Sequence, residues 1–214
     1  MNDKINDVIK PVIKNEVLSL FSVPVGRYMI PTELTKKQTN FILKQTQRNN
    51  LGNTTSTNHN ILERKELQSL KQSIFDKVIE FFKQVYDPKY DVTLRITQSW
   101  INYTKQGQFH HKHRHPNSYI SGIYYVDTIE TDKVFFHDDR SQTIDLPPSS
   151  WNNWNSKSWW LEATKGTLII FPSFLEHNVE TLNSDHTRIS LSFNTFPVGT
   201  IGEEQDLTGL KLEG

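Results

Sequence analysis

From Tyr90 onward the chain stops spacing its apolar residues as a helix would and places them at every second position, with Gly, Pro, Asn and Asp interrupting every few residues. Side chains of an extended strand point alternately to opposite faces, so this period calls for strands with one buried face. Eight segments satisfy it: residues 92–103, 109–115, 119–126, 133–137, 159–163, 167–172, 177–182 and 187–196. So many short strands with little chain between them predict a mostly β domain of the jelly-roll kind, two facing sheets with a mouth at one end.

The preceding residues read as support. Residues 17–30 are β-branched and aromatic with Pro24 and Gly26 among them, which suits an edge or bulged strand. Thr32 reads as a helix cap, followed by Leu34, Phe41 and Ile42 on a short helix reaching about Arg48. Residues 49–60, rich in Asn, Thr and Gly, read as a loop. From Leu67, the apolar positions Leu70, Ile74, Val78, Phe81 or Phe82, and Val85 mark one stripe of an amphipathic helix that Asp87-Pro88 ends. The two helices are expected to cover the outer face of one sheet. At 214 residues the chain is predicted to be a single domain, 1–214, with supporting elements over 1–90, a core over 91–197 and a loosely held tail over 198–214.

Composition removes several functions. There is no cysteine, hence no disulfide framework, thiolate zinc site or iron–sulfur cluster. Lys+Arg and Asp+Glu both number 24 and the basic residues form no block, which argues against nucleic acid as a partner. No apolar run approaches the roughly 20 residues of a membrane span, so a cytoplasmic protein is expected. Oligomeric state stays open, a homodimer included. The N-x-T patterns at Asn53 and Asn102 are read as chance matches.

Six of the eight histidines fall within residues 109–126 and 168–194. On a strand, His113 and His115 share a face about 6.6–6.8 Å apart, and Pro116 ends the ladder just beyond them. His177 follows the apolar run 168–172 and a short turn, where it can supply a third imidazole. Three facial imidazoles suit a transition metal and leave other coordination positions open. His111 and His113 have the same spacing, so the identity of the pair is left between these two, with Pro116 favouring the later one.

Eleven residues after His177 comes Arg188. Ile189, Leu191 and Phe193 alternate with Arg188, Ser190, Ser192 and Asn194, so packing of the apolar set on helices turns the polar set into the cavity. A buried guanidinium needs an anion, and its fork matches a carboxylate. A structural partner such as Glu162 or Glu180 is one candidate; a small dicarboxylate, with Ser190 as a second donor, is the other.

Taken together, His113-x-His115, His177 and Arg188-x-Ser190 resemble the pattern of the 2-oxoglutarate and Fe(II)-dependent oxygenases, H-x-D/E, a distal His, then R-x-S/T about ten residues on. The resemblance spans roughly residues 92–196, and the wording of residues 113–126 is similar to a bacterial and phage group of that superfamily. It implies a double-stranded β-helix, a cupin-like jelly roll, with N-terminal helices on one sheet. It also implies Fe(II) on His113, His115 and His177, and 2-oxoglutarate as co-substrate on Arg188 and Ser190. Release of succinate and carbon dioxide would follow. Tyr125 occupies the place of a co-substrate-contacting tyrosine in the prolyl-hydroxylase-like members. His115 stands where the family usually has a carboxylate, which leaves more positive charge on the metal.

Two other functions fit parts of the chain. A three-histidine iron dioxygenase would need no 2-oxoglutarate. A non-catalytic jelly roll could bind a sugar or partner through the tryptophans at 151, 154, 159 and 160. In the plainer view Trp159 and Trp160 straddle a strand while Trp151 and Trp154 pin a loop to the surface; in the sharper one the aromatic loop is a lid.

Overall fold

The computed structural model describes residues 17–31, 33–138 and 146–213. In chain order the elements are β1 (Gly26–Met29), α1 (Lys36–Leu43), β2 (Gln47–Asn49), β3 (Thr54–Ser56), α2 (Gln68–Tyr86), β4 (Val92–Thr104) and β5 (His110–His113). They continue with β6 (Ile120–Asp127), β7 (Lys133–His137), β8 (Ser158–Glu162), β9 (Thr167–Pro172), β10 (Glu176–Val179), β11 (Arg188–Ile201) and β12 (Leu210–Leu212). One sheet runs β1-β9-β6-β11-β4-β3-β2 with β12 added to β11, and the other runs β5-β10-β7-β8. Each of the eight expected core segments contains a strand, and they divide evenly: β4, β6, β9 and β11 in the larger sheet, β5, β7, β8 and β10 in the smaller. This is the double-stranded β-helix.

The larger sheet is buried on both faces. Its outer face carries Leu94, Ile101, Tyr103, Ile120, Tyr124, Leu168, Ile170, Ile189, Leu191 and Phe193, packed in one cluster with Ile42 of α1 and with Leu70, Ile74, Val78, Phe81 and Phe82 of α2. These α2 positions are the stripe read from the helical period. The inner face supplies Ile123, Tyr125, Ile169 and Phe171, which meet Val134, Phe136 and Val179 of the smaller sheet. Each burial removes apolar area from water at roughly 25 cal/mol per Å², so β6 and β9, apolar on both faces, anchor the two layers together.

Several local expectations are corrected. Thr32 lies outside the described residues; the observed cap is Thr35, whose hydroxyl accepts from Gln38 N while Gln38 Oε1 accepts from Thr35 N, a capping box. The helix it starts ends at Leu43 rather than near Arg48. Residues 49–60 are not all loop, because β2 and β3 form a hairpin that pairs with β4 through Thr54 and Thr55. The bare edge of β4 offers backbone hydrogen-bonding groups that a β-branched segment can satisfy, and this outweighs the turn preference of its Asn and Gly residues. The hairpin tip also reaches the other sheet: Phe109 N donates to the Gly52 carbonyl at 3.0 Å and His111 Nδ1 lies 3.2 Å from the Leu51 carbonyl. The tail is paired rather than loose, since Leu210–Leu212 runs antiparallel to Gly199–Ile201 and Glu203 bonds Lys89 and Tyr90.

Trp159 and Trp160 do alternate along β8, with Lys133 over the Trp160 ring, whereas Trp151 and Trp154 are each 64% exposed and are not pinned down. Among the described residues no helix is long and apolar enough to cross a membrane.

Gly122 of β6 sits directly opposite Phe193 of β11, and a methyl group on it would overlap the Phe193 ring. Overpacking of this kind costs about 1–3 kcal/mol. Gly122→Ala should therefore lower the urea midpoint by that amount of stability with an unchanged slope, measured by equilibrium denaturation.

Candidate metal centre

Antiparallel pairing of β5 with β10 sets His113 directly opposite His177. Directly opposed residues of antiparallel strands hold their Cβ atoms about 4.5–5.5 Å apart, and the two imidazole centroids are 4.3 Å apart. His115 lies past the end of β5, which stops at His113 and not at Pro116; its backbone N–H donates to the Ser173 carbonyl at 3.0 Å. From there its ring stacks on His177 at 5.1 Å, and the two Nε2 atoms stand 3.3 Å apart.

The ligand atoms of His113, His115 and His177 all lie within 4.8 Å of one another. Two nitrogens each about 2.1 Å from one ion and at right angles would stand about 3.0 Å apart, close to the observed Nε2 separation. Nδ1 of His113 lies 2.7 Å from the His111 carbonyl and Nδ1 of His177 lies 3.0 Å from the Leu175 carbonyl. A carbonyl can only accept, so both rings carry their proton on Nδ1 and turn an Nε2 lone pair inward. His115 is oriented by a hydrogen bond with Asn194.

Burial, reinforced by the neighbouring imidazoles, pushes His115 down to about 3 and His177 well below the usual histidine range. His113 is lowered by burial as well, partly offset by its bond to the His111 carbonyl. Neutral imidazole is the form that binds metal.

One cavity joins these rings to the arginine. It is lined by His110, His113, His115 and His177 on one side and by Tyr125, Arg188, Ser190 and Ser192 on the other, and it holds about 20 Å³, room for about one water. Among the described residues no carboxylate lines it. Ser190 and Tyr125 are cross-strand partners, which explains why both face the same space. The Tyr125 hydroxyl is buried, kept protonated by that burial, and finds no hydrogen-bond partner among the described residues. His110, His111 and His113 form a second cluster within the same 4.8 Å limit, but Nδ1 of His113 is engaged with the His111 carbonyl, His111 faces Leu51, and only His110 of the remaining pair borders the cavity.

Arg188 is where sequence reasoning missed a residue. Its Nη1 donates to Asp132 Oδ1 at 2.6 Å, with both residues at most 5% exposed, and its Nη2 reaches the Glu180 carbonyl at 3.4 Å. Neither named alternative is the partner: Glu162 pairs with Arg27 at 3.6 Å, and Glu180 offers only backbone. Asp132 ends the turn between β6 and β7, where its Oδ2 accepts from Ile129 N at 3.0 Å. A polar residue at a turn before a strand is unremarkable in sequence, and the pair spans 56 positions, so only topology brings it to Arg188.

Residues 98–194 match the family model described as "Putative 2OG-Fe(II) oxygenase". No curated protein matches the chain. Among solved structures, an oxidoreductase of the 2OG-Fe(II) oxygenase family from Burkholderia pseudomallei is similar at 12% identity and TM-score 0.53, over 79% of this chain and 84% of that one. HygX from Streptomyces hygroscopicus, solved with nickel and 2-oxoglutarate, is similar at 8% identity and TM-score 0.56, over 81% and 82%. A prolyl hydroxylase from Trichoplax adhaerens, in complex with a hypoxia inducible factor peptide fragment, is similar at 13% identity and TM-score 0.56, over 80% and 83%. At these identities the structural likeness is one of fold.

The geometry makes a discriminating test. His113→Ala and His177→Ala should each weaken Mn(II) or Fe(II) binding by at least about a hundredfold, beyond the loss typical of an outer-shell partner, while His111→Ala should leave affinity within a few-fold. Anaerobic calorimetry reads all three.

Proposed function

We propose that His113, His115 and His177 hold Fe(II) while Arg188, Ser190 and Tyr125 receive 2-oxoglutarate, a reading supported by the match of residues 98–194 to the 2OG-Fe(II) oxygenase family model. The observation that carries this assignment is the shared cavity, with three convergent imidazoles on one wall and a guanidinium, a serine and a tyrosine on the other.

The donor set fits both groups. Imidazole nitrogen suits iron, and two of the three rings are oriented by backbone carbonyls before any ion arrives. Burial without a partner costs a hydroxyl free energy, so the Tyr125 hydroxyl is a donor in search of an acceptor, which a carboxylate provides. When bound, iron and 2-oxoglutarate supply dioxygen activation and the oxidising step, with succinate and carbon dioxide as co-products.

The residues of this chain bind, orient and keep the site dry. Phe171 packs edge-on to His177 at 4.6 Å, and Phe136 packs against both rings, so the apolar cluster between the sheets closes the floor of the site. His110 stacks on His113 at 4.6 Å and fixes its plane from the outer side. In a dry site each charge-assisted hydrogen bond to a carboxylate counts for more than in water. We read the reaction as hydroxylation of a substrate whose identity the loops at the mouth decide, the ligands as small molecules, and the location as cytoplasmic.

Protein loaded anaerobically with Fe(II) and then exposed to air should convert 2-oxoglutarate to succinate. Arg188→Gln should raise the Kd for 2-oxoglutarate by roughly ten- to a hundredfold, as expected for loss of a charged hydrogen bond, and leave Mn(II) affinity unchanged. Failure of the loaded protein to bind or turn over 2-oxoglutarate would sink the assignment. Oxygen uptake that needs iron and ignores 2-oxoglutarate would move it to the three-histidine dioxygenases.

A further inference from the structure

The guanidinium assigned to the co-substrate is already paired with a carboxylate. Nη1 of Arg188 donates to Asp132 Oδ1 and Nη2 reaches the Glu180 carbonyl, so one arm of the fork is held by an anion and the other by a backbone oxygen. Asp132 is itself tied down: Oδ2 accepts from Ile129 N, its backbone N–H donates to the Ile129 carbonyl, and its carbonyl accepts from Ala163 N. The turn thus presents a carboxylate to Arg188 as a ligand would.

Arg188 also stands between two spaces. On one side is the cavity of about 20 Å³ that the histidines line. On the other is a more open polar cavity of about 200 Å³ lined by Ile129, Asp132, Lys133, Glu180 and Asn183, with Arg188 as the residue common to both. While the Arg188–Asp132 pair holds, the charge of the arginine is balanced by a buried carboxylate.

We propose that Asp132 is an internal competitor for Arg188, a carboxylate that the distal carboxylate of 2-oxoglutarate must displace, and that it sets the affinity and selectivity for the co-substrate. This rests on the assignment of Arg188 as the co-substrate anchor. Two carboxylates on one guanidinium repel each other in a buried site, so binding requires the pair to part. The displaced Asp132 faces the polar cavity, where Lys133 lies beside it in the wall. A 2-oxo acid without a distal carboxylate makes no demand on Arg188 and is indifferent to Asp132.

The experiment titrates Mn(II)-loaded protein with 2-oxoglutarate and, separately, with 2-oxobutyrate, using wild type, Asp132→Asn, Asp132→Glu and Arg188→Gln. Removing the competing charge should tighten 2-oxoglutarate by at least about tenfold in Asp132→Asn and leave 2-oxobutyrate unchanged, while Asp132→Glu stays near wild type. Equal or weaker 2-oxoglutarate binding by Asp132→Asn overturns the proposal and makes Asp132 a support for the arginine. If wild type binds 2-oxoglutarate and Arg188→Gln does not, a null result in Asp132→Asn removes this proposal alone; if no variant binds it, the functional assignment falls as well. Should Asp132→Asn fail to fold, stopped-flow binding to wild type decides: a rate that saturates with 2-oxoglutarate concentration supports release of Asp132 before capture, and a strictly linear rate overturns it.

Discussion

The period-two register of β11 is the constraint on which the site depends. Ile189, Leu191 and Phe193 are packed under the helices, and that alone forces Arg188, Ser190 and Ser192 into the cavity. A slip of one residue would reverse both sets, burying a guanidinium under α2 and filling the metal cavity with isoleucine and leucine. Apolar packing some distance from any ligand therefore determines where the polar chemistry sits. Gly122 against Phe193 fastens that register from the neighbouring strand, since no larger residue leaves room for the ring.

Charge in the site is arranged unusually for a place proposed to hold a divalent cation. Among the described residues the wall contains imidazoles and no carboxylate, and its guanidinium, Arg188, is paired with Asp132. Under the proposed assignment, an ion held by His115 in place of an acidic ligand would keep its full positive charge apart from what an incoming anion contributes. Capture of the carboxylate of a 2-oxo acid would then be favoured at the metal end of the co-substrate.

Legibility in the sequence followed the range of the interactions. The eight core strands, the stripe of α2 and the polar face of β11 were readable because each is a local periodicity imposed by burial of one face. The three histidines were readable because their chemistry is distinctive and β5 and β10 lie at a spacing the jelly roll makes adjacent. Asp132, the β2–β3 hairpin and the pairing of Leu210–Leu212 were not, since each is decided by a partner far away in the chain: Arg188, the free edge of β4, and the end of β11. The cap at Thr35 is a different case. Its T-x-x-Q signature was present, and Thr32 drew the expectation three residues too early.

The hairpin carries an implication for anyone altering this chain. Its tip, Leu51 and Gly52, belongs by connection to the large sheet but bonds to Phe109 and His111 at the outermost strand of the small one. It forms a strap across the side of the sandwich, two residues upstream of His113. A stretch of Asn, Gly and Thr of this kind invites tags, insertions and permuted termini, because such loops usually tolerate them. Here the two bonds of the tip fall on Phe109 and His111, so lengthening it acts first on the strand that carries His113.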